Sequence, residues 1–309
     1  MGQPPPSGRS VEPTRPVISI VLCTRNRAAL LRQALASLRG IDYPSDHFEL
    51  VLVDNDSSDE TSLVGAEFDA PFSVRMVRES RIGLSAARNR AIIEARGEFL
   101  FFTDDDQLVD RDVLREHERV ARKYSSRVQQ GAIELSFPGG RPDWLHGELA
   151  TILGKTQDVP EGPQAIDLYG GNMFIRRDLF DDIAGFREDL GKGAAGYSED
   201  IELTRRLKTS GESIVYAPSA RIYHVIEADR ASARFFLRNS FDKGYSDGRL
   251  LGRRGLKSEA LGMAGGVWRF GVASLNALAR RDRHLAIVAR TRAANQLGRL
   301  LGCASSSGR

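Results

Sequence analysis

Residues 99–110 read FLFFTDDDQLVD: four apolar side chains, then Thr103, then three consecutive carboxylates, Asp104, Asp105 and Asp106. Like charges at adjacent positions repel, so an apolar run that ends this way calls for a compensating cation. A hard divalent ion, Mn2+ or Mg2+, takes oxygen ligands from one or two carboxylates together with substrate phosphates. Asp104 and Asp106, two residues apart, could hold such an ion directly or through water. The ion would bridge to a diphosphate and offset its charge as it leaves. The competing reading is an acidic turn with its side chains in water.

Other chemistry-bearing residues stand at similar places. Asp54 follows the apolar run FELVLV; there it can accept from a base N–H or a ribose hydroxyl, or close an Asx turn. Asp56 suits a turn or a helix start equally well. Arg88 sits one turn inside a helix that begins near Gly83, within reach of an anion at that helix start or of Glu94 on the surface. Ser198, Glu199 and Asp200 open a helix after a glycine-rich stretch. An N-cap and the helix dipole account for all three, but an ionised carboxylate facing a pocket can also take a proton from an acceptor hydroxyl. His224 ends the short run RIYH as a structural histidine or, through a neutral imidazole, a further metal ligand. Trp144, beside Asp143 and His146, lines an acceptor groove or packs in a core.

Alternating strand and helix patterns must position these groups. VISIVL (17–22) is a β-branched run typical of a buried strand, and Leu31, Ala34, Leu35 and Leu38 follow with helical spacing before Gly40. FELVLV (48–53) predicts a second strand, Ser57 with Glu60 a capping box opening a short helix, and 74–77 a third strand. A helix is expected over 84–95 with Gly97 as its stop, then a fourth strand over 98–102 that ends at the aspartates. Such alternation argues for an α/β fold with a mostly parallel sheet, whose ligands bind beyond the carboxyl ends of the strands. Three strand ends then carry Thr24–Arg25–Asn26, Asp54–Asn55–Asp56 and the aspartate triplet to one edge. Farther on, strands are expected within 125–137, 168–176, 213–217 and 221–225, a mobile loop over 186–198, a helix over 199–209, and helical pattern from about 230.

The 309 residues, 41% hydrophobic and 28% charged, are enough for one large domain with an appendage. No apolar run reaches the length needed to cross a bilayer. The Pro-rich start, residues 1–15, reads as a disordered tail rather than a secretory signal. Two distant cysteines, Cys23 and Cys303, point to a reducing, cytoplasmic setting, with Cys23 a small buried hydrophobe. The net charge of +3 hides an asymmetry: residues 249–309 hold 12 Lys/Arg against Glu259 and Asp282, a net of +10, which leaves −7 for the rest. A basic amphipathic helical extension over 251–309 could meet anionic lipid, lie peripherally on the inner face of the membrane, or simply be solvated. Nucleic-acid binding is not expected, since the tail has few interleaved aromatics.

The motifs VISIVLCTRNR, VLVDNDSSDET, GLSAARNRAI, FLFFTDDDQ, GGNMFIRR and SEDIELTRRL, in this order over about residues 16–250, resemble family 2 glycosyltransferases of the GT-A fold. The resemblance implies a Rossmann-like nucleotide-binding sheet and an inverting transfer of sugar from a UDP-, GDP- or dTDP-linked donor to a carbohydrate, lipid-linked or small-molecule acceptor. By it, Asp54 (with Asp56 nearby) would recognise base or ribose, Thr24 and Arg25 would underlie the nucleotide, and Arg88 would lie near the diphosphate. Asp104, Asp105 and Asp106 would form the metal-binding DxD element, with Asp106 the principal ligand and His224 a further one. Asp200, paired with Glu199, would be the base, and Gly171 and Asn172 would line the donor sugar and acceptor. The chain lacks the Q-x-x-R-W element of processive synthases, having Thr204–Arg205–Arg206–Leu207 after its acidic pair, which points to transfer of a single sugar. A nucleotidyltransferase would share the acidic α/β half but usually carries a Gly-rich loop after its first strand, where CTRNRAALLRQAL has none. A non-catalytic nucleotide-sugar-binding homologue is the other alternative.

Overall fold

The computed structural model describes residues 17–191 and 199–305. Strand β1 (Ile18–Thr24) is buried along its whole length, as a β-branched strand covered on both faces must be. Helix α1 (Ala28–Arg39) turns Leu31, Ala34, Leu35 and Leu38 inward. Next come β2 (Phe48–Asp54), α2 (Thr61–Ala66), β3 (Ser73–Arg78), α3 (Leu84–Glu94) and β4 (Phe99–Asp104). These four strands run parallel in the order β3-β2-β1-β4, and Thr24, Asp54 and Asp104 stand at their carboxyl ends. Alternate residues of β1 feed opposite cores. Ile18, Ile20 and Leu22 join α1 on one face, while Val21 and Cys23 join Ala87 and Ala91 of α3 on the other.

The second half is mixed. It contains β5 (Gln107–Val109), α4 (Val113–Tyr124), β6 (Val128–Ser136), α5 (Glu148–Ile152), β7 (Gly162–Pro163), β8 (Met173–Arg176) and α6 (Leu179–Asp182). After them come α7 (Glu199–Thr209) and β9 (Val215–Val225). Strand β8 is antiparallel to both β4 and β6, and so carries the sheet across to β9 and β5. The two strands expected over 213–217 and 221–225 are one strand, whose pairing with β6 shifts register between Gly131 and Ala132. The expected capping box is also replaced. Ser57 Oγ accepts from the Asn26 N–H at 3.1 Å, and α2 begins at Thr61, whose N–H donates to Asp59 Oδ1 at 2.9 Å. Ser198 and most of the expected mobile loop (192–198), like the N-terminal tail, lie outside the described residues.

Helices α8 (Ala233–Ala279) and α9 (Arg283–Ser305) complete the chain. The boundary expected after residue 250 therefore falls inside α8; the architecture changes at Ser232, whose hydroxyl accepts from the Phe235 N–H and caps the helix. Asn295 of α9 reaches Ser240, while Gln296 beside it packs against Gly266. Those two positions on α8 would stand roughly 39 Å apart along a straight helix at about 1.5 Å per residue, so α8 doubles back and α9 lies against both limbs. The first limb touches α9 backbone to backbone. A Cβ on Gly244 or Gly248 would overlap the carbonyls of Asn295 and Arg299, and one on Gly298 or Gly302 those of Phe241 and Tyr245. Only glycine permits so close an approach.

Candidate active site

The three aspartates receive three different answers to their charge. Asp105, 5% exposed, accepts from the Thr24 hydroxyl at 2.8 Å and from Arg27 Nη1 at 2.7 Å. Burial pushes its carboxyl up to about 6, with Arg27 opposing and Asp106 adding to the shift. Asp106 shares one oxygen, Oδ2, between Arg27 at 3.0 Å and Arg230 at 2.8 Å. Asp104 turns the other way and accepts from Arg88 Nη2 at 3.1 Å. Asp105, Asp106 and Arg88 are buried, so removing a partner would leave each of these charges uncompensated.

Arg88 is the hub. It is 3% exposed, and its second nitrogen, Nη1, donates to Glu199 Oε1 at 3.0 Å. It thus ties the end of β4 to the start of α7, and it also donates to the Gly170 carbonyl at 3.3 Å. The side chain expected to reach an anion is therefore a buried strut between two acidic groups. The two glycines before Asn172 make room for this. A Cβ at Gly170 would overlap the Arg88 guanidinium, and one at Gly171 the Gln107 amide.

Asp200 follows Glu199 but points to the other side. Its Oδ1 accepts from the Ile201 N–H at 2.8 Å and its Oδ2 from the Gly170 N–H at 3.2 Å. Burial first, then the Glu199 carboxylate, push it up to about 6, against Arg88. Its carboxylate borders a cavity of about 760 Å³ that runs from Gly171 and Tyr169 to Lys243 of α8 and Arg292 of α9. A smaller cavity of about 320 Å³ lies beyond β1, bounded by Thr24, Arg25, Asn55, Gly83 and the three aspartates. The two share Asp104, Gln107, His224 and Arg230 on their walls.

Three predicted site residues stand elsewhere. Asp54 is buried and engaged in its own turn, accepting from the Ser57 N–H at 3.1 Å and from the Ser62 hydroxyl. It is the neighbouring Asn55 that borders the small cavity and ties the β2 end to the next loop, accepting from the Gly83 N–H at 2.8 Å. Asp56, in a left-handed backbone conformation (φ 59°), pairs at the surface with Arg78 at 2.6 Å. Asn172 is fully buried and bonds the Ala132 and Ala220 carbonyls and His117; it anchors the glycine turn from inside the core. Trp144 packs edge-on against Phe236 beside the smallest core cluster, the packing alternative of the two weighed from sequence. Burial pushes the Cys23 thiol up to about 12, so it stays protonated and inert.

A divalent ion finds part of its donor set here. His224 Nδ1 lies 2.8 Å from the Leu153 carbonyl, an acceptor only, so Nδ1 carries the proton and Nε2 the lone pair. That lone pair stands 3.6 Å from Asp106 Oδ2. A carboxylate oxygen and an imidazole nitrogen, the latter oriented by a backbone carbonyl, fit a metal ion in type and support. Asp104, turned to Arg88, is not beside them, and among the described residues no three acidic, His or Cys side chains are gathered for a metal. Substrate phosphates commonly complete such sites. Arg27 and Arg230 were missed in the sequence. Arg27 lies two residues past the Arg25 that drew attention, and nothing local ties Arg230 to a strand end 124 residues away.

Four parallel strands with acidic groups at their carboxyl edge and a cavity on each side of them define an α/β protein of the kind whose ligands bind beyond the strand ends. The chain belongs to glycosyl transferase family 2, whose model matches residues 19–184, and it is a glycosyltransferase. It is 27% identical over 243 residues to the succinoglycan biosynthesis protein ExoM of Rhizobium meliloti, covering 77% of this chain and 76% of that protein. It is 23% identical to the glycosyltransferase AglE of Haloferax volcanii, covering 66% and 65%. Among solved structures it is similar to the mannosyltransferase PcManGT of Pyrobaculum calidifontis in complex with GDP-Man and Mn2+ (TM-score 0.65, 18% identity, 96% of this chain and 91% of that one). It is also similar to TarS 1–349 of S. aureus in complex with UDP-GlcNAc (TM-score 0.56, 18% identity, 91% and 89%). These likenesses in structure show the GT-A fold.

Proposed function

We propose that the protein transfers one sugar, with inversion, from a nucleoside-diphosphate sugar to an acceptor hydroxyl, and that a divalent ion assists. The observation that carries the reading is the shared wall of the two cavities, with Asp200 facing the larger one across the Gly170–Gly171 turn. In this reading the smaller cavity takes the nucleotide, over Thr24 and Arg25, and the larger takes the acceptor. Asp200 removes the acceptor proton; the freed oxygen forms a bond to the anomeric carbon, and the bond from that carbon to the diphosphate breaks with its electron pair on the phosphate oxygen. Attack opposite the leaving group inverts the centre. Asp106 with His224, and Asp104 through water, would hold Mn2+ or Mg2+, which when bound supplies positive charge for the departing diphosphate. Relatives that bind GDP-Man with Mn2+ or UDP-GlcNAc support the class of donor. Arg88 holds Glu199 in place as its hydrogen-bond partner, and Asp200, which Arg88 does not bond, is the carboxylate on the cavity wall assigned to take the proton.

The test is a panel of UDP-, GDP- and dTDP-sugars read by thermal shift and product release with Mn2+ or Mg2+. One donor should raise the melting temperature and be turned over. No turnover or hydrolysis with any of them would overturn the reading.

The acceptor's neighbourhood also supports contact with an anionic membrane surface. Among the described residues no helix is long and apolar enough to cross a membrane, yet the second limb of α8 exposes Leu261 (91%), Trp268 (76%) and Leu275 (68%), three positions a heptad apart on one stripe. Exposed Arg269, Arg280 and Arg281 flank them. An apolar stripe edged by arginines is what an anionic lipid interface accepts.

A further inference from the structure

Arg230 stands between the loop after β9 and the first turn of α8, with its guanidinium over the Phe235 ring at 5.5 Å. One nitrogen, Nη1, lies 2.8 Å from Asp106 Oδ2 and 3.0 Å from His224 Nε2. These are the two atoms the ion reading needs. Because His224 Nδ1 keeps its proton and donates it in a hydrogen bond to the Leu153 carbonyl, Nε2 has a single lone pair, and Arg230 is the donor to it. One lone pair cannot serve an N–H and a metal at once. The observed position of Arg230 and an ion on Asp106 and His224 therefore exclude each other.

From this we infer that Arg230 is a displaceable counter-cation. Without the ion it neutralises Asp106 and holds the carboxylate and imidazole 3.6 Å apart. When the ion binds, the guanidinium leaves both atoms but stays in the shared wall of the two cavities, where the donor's diphosphate is the nearest anion to receive it. Arg27, which also holds Asp105, remains on Asp106 throughout. The geometry makes such an exchange cheap. The side chain is one-fifth exposed, its Phe235 platform is at hand, and a guanidinium suits phosphate as well as carboxylate. Since Arg230 leads directly into Ser232 and α8, the exchange also links donor occupancy to the wall of the acceptor cavity.

The inference rests on reading Asp106 and His224 as ion ligands, and the experiment separates the two. Mn2+ alone is titrated into the wild type, Arg230→Gln and Asp106→Asn, and free Mn2+ is counted by electron paramagnetic resonance. Glutamine keeps a donor for Asp106 but removes the charge. Arg230→Gln should bind Mn2+ about tenfold more tightly than wild type, the scale of losing one charge-assisted competitor. With Mn2+ saturating, its affinity for whichever of UDP, GDP or dTDP the wild type binds should fall about tenfold, and Arg230→Lys should restore part of it. Circular dichroism confirms that each variant is folded. Mn2+ binding that Asp106→Asn abolishes but Arg230→Gln leaves unchanged or weakened overturns the role of Arg230 alone. Binding that Asp106→Asn leaves intact overturns the ligand assignment beneath it.

Discussion

Asp200 and Glu199 are adjacent carboxylates with opposite surroundings. Glu199 is paired with a buried arginine, and Asp200 is held by two backbone N–H groups at the edge of a cavity. Since burial pushes Asp200 up to about 6, a base at this position is ionised only above that pH, and kcat/KM should fall on the acid side of about pH 6. The same shift has a consequence for folding. A carboxyl whose folded value is raised favours the folded state most below its unfolded value, and that contribution is lost as pH rises through about 6. Asp200→Asn should therefore lose about 10²- to 10⁴-fold in kcat while melting at or above the wild-type temperature at pH 7.5. The difference in melting should close near pH 4. Full activity in this variant would remove Asp200 from the chemistry. Arg88→Ala has the contrary signature. It strands Asp104 and Glu199 without their cation, and removing one partner of a buried pair costs about 3–5 kcal/mol. Thermal denaturation should show the loss in the absence of any ligand.

At the scale of elements, the contact between α9 and the first limb of α8 depends on four glycines, and α8 carries other glycines that touch nothing. Gly298→Ala pushes a methyl into the Phe241 carbonyl; overpacking of this kind costs about 1–3 kcal/mol. Hydrogen exchange should then rise along α9. Gly271→Ala is the control, since beyond its own stretch of helix nothing lies within 4 Å of the added Cβ. It should leave exchange unchanged and raise stability by up to about 1 kcal/mol through helix propensity. Equal effects of the two substitutions would show that backbone contact does not hold the helices together. Strands β1 to β4, β6 and β8 and the helices α1, α3 and α7 were legible from the run of residues, whereas the short β5 and β7 were not and β9 was read as two strands. The capping box was misread as well. Ser57 has the right neighbour in sequence, but a loop 31 residues upstream offers it a better partner in Asn26.

For the whole molecule, charge is divided between an acidic body and a basic end, and the exposed apolar stripe lies on the basic end. Vesicles containing phosphatidylglycerol should sediment the protein, and neutral phosphatidylcholine vesicles should do so far less. Substituting Leu261, Trp268 and Leu275 together by Ser should weaken the binding about tenfold or more, because apolar burial and charge attraction act jointly at such interfaces. Indifference to both lipid charge and the three substitutions would rule out docking through this face.

The mostly parallel α/β sheet and the carboxyl edge where the acidic groups gather were readable from the chain, since hydrophobic period and strand-end chemistry are local properties, and the family was readable from the resemblance of its motifs. Thr24, Asp104 and Asp106 were placed at that edge by their strand ends, where the structure has them, while the role proposed for Asp200 came from the resemblance of SEDIELTRRL. What only the folded molecule decided is which side chain faces which. Asp54 and Asn172 turn into their own scaffolds while Asn55 borders the cavity, and Arg88 becomes a strut. Arg27 and Arg230 supply charge to the aspartates across 78 and 124 residues of chain. Side-chain direction at a strand end follows from the partners that close on it from elsewhere, and in sequence those partners lie beyond the reach of any local pattern.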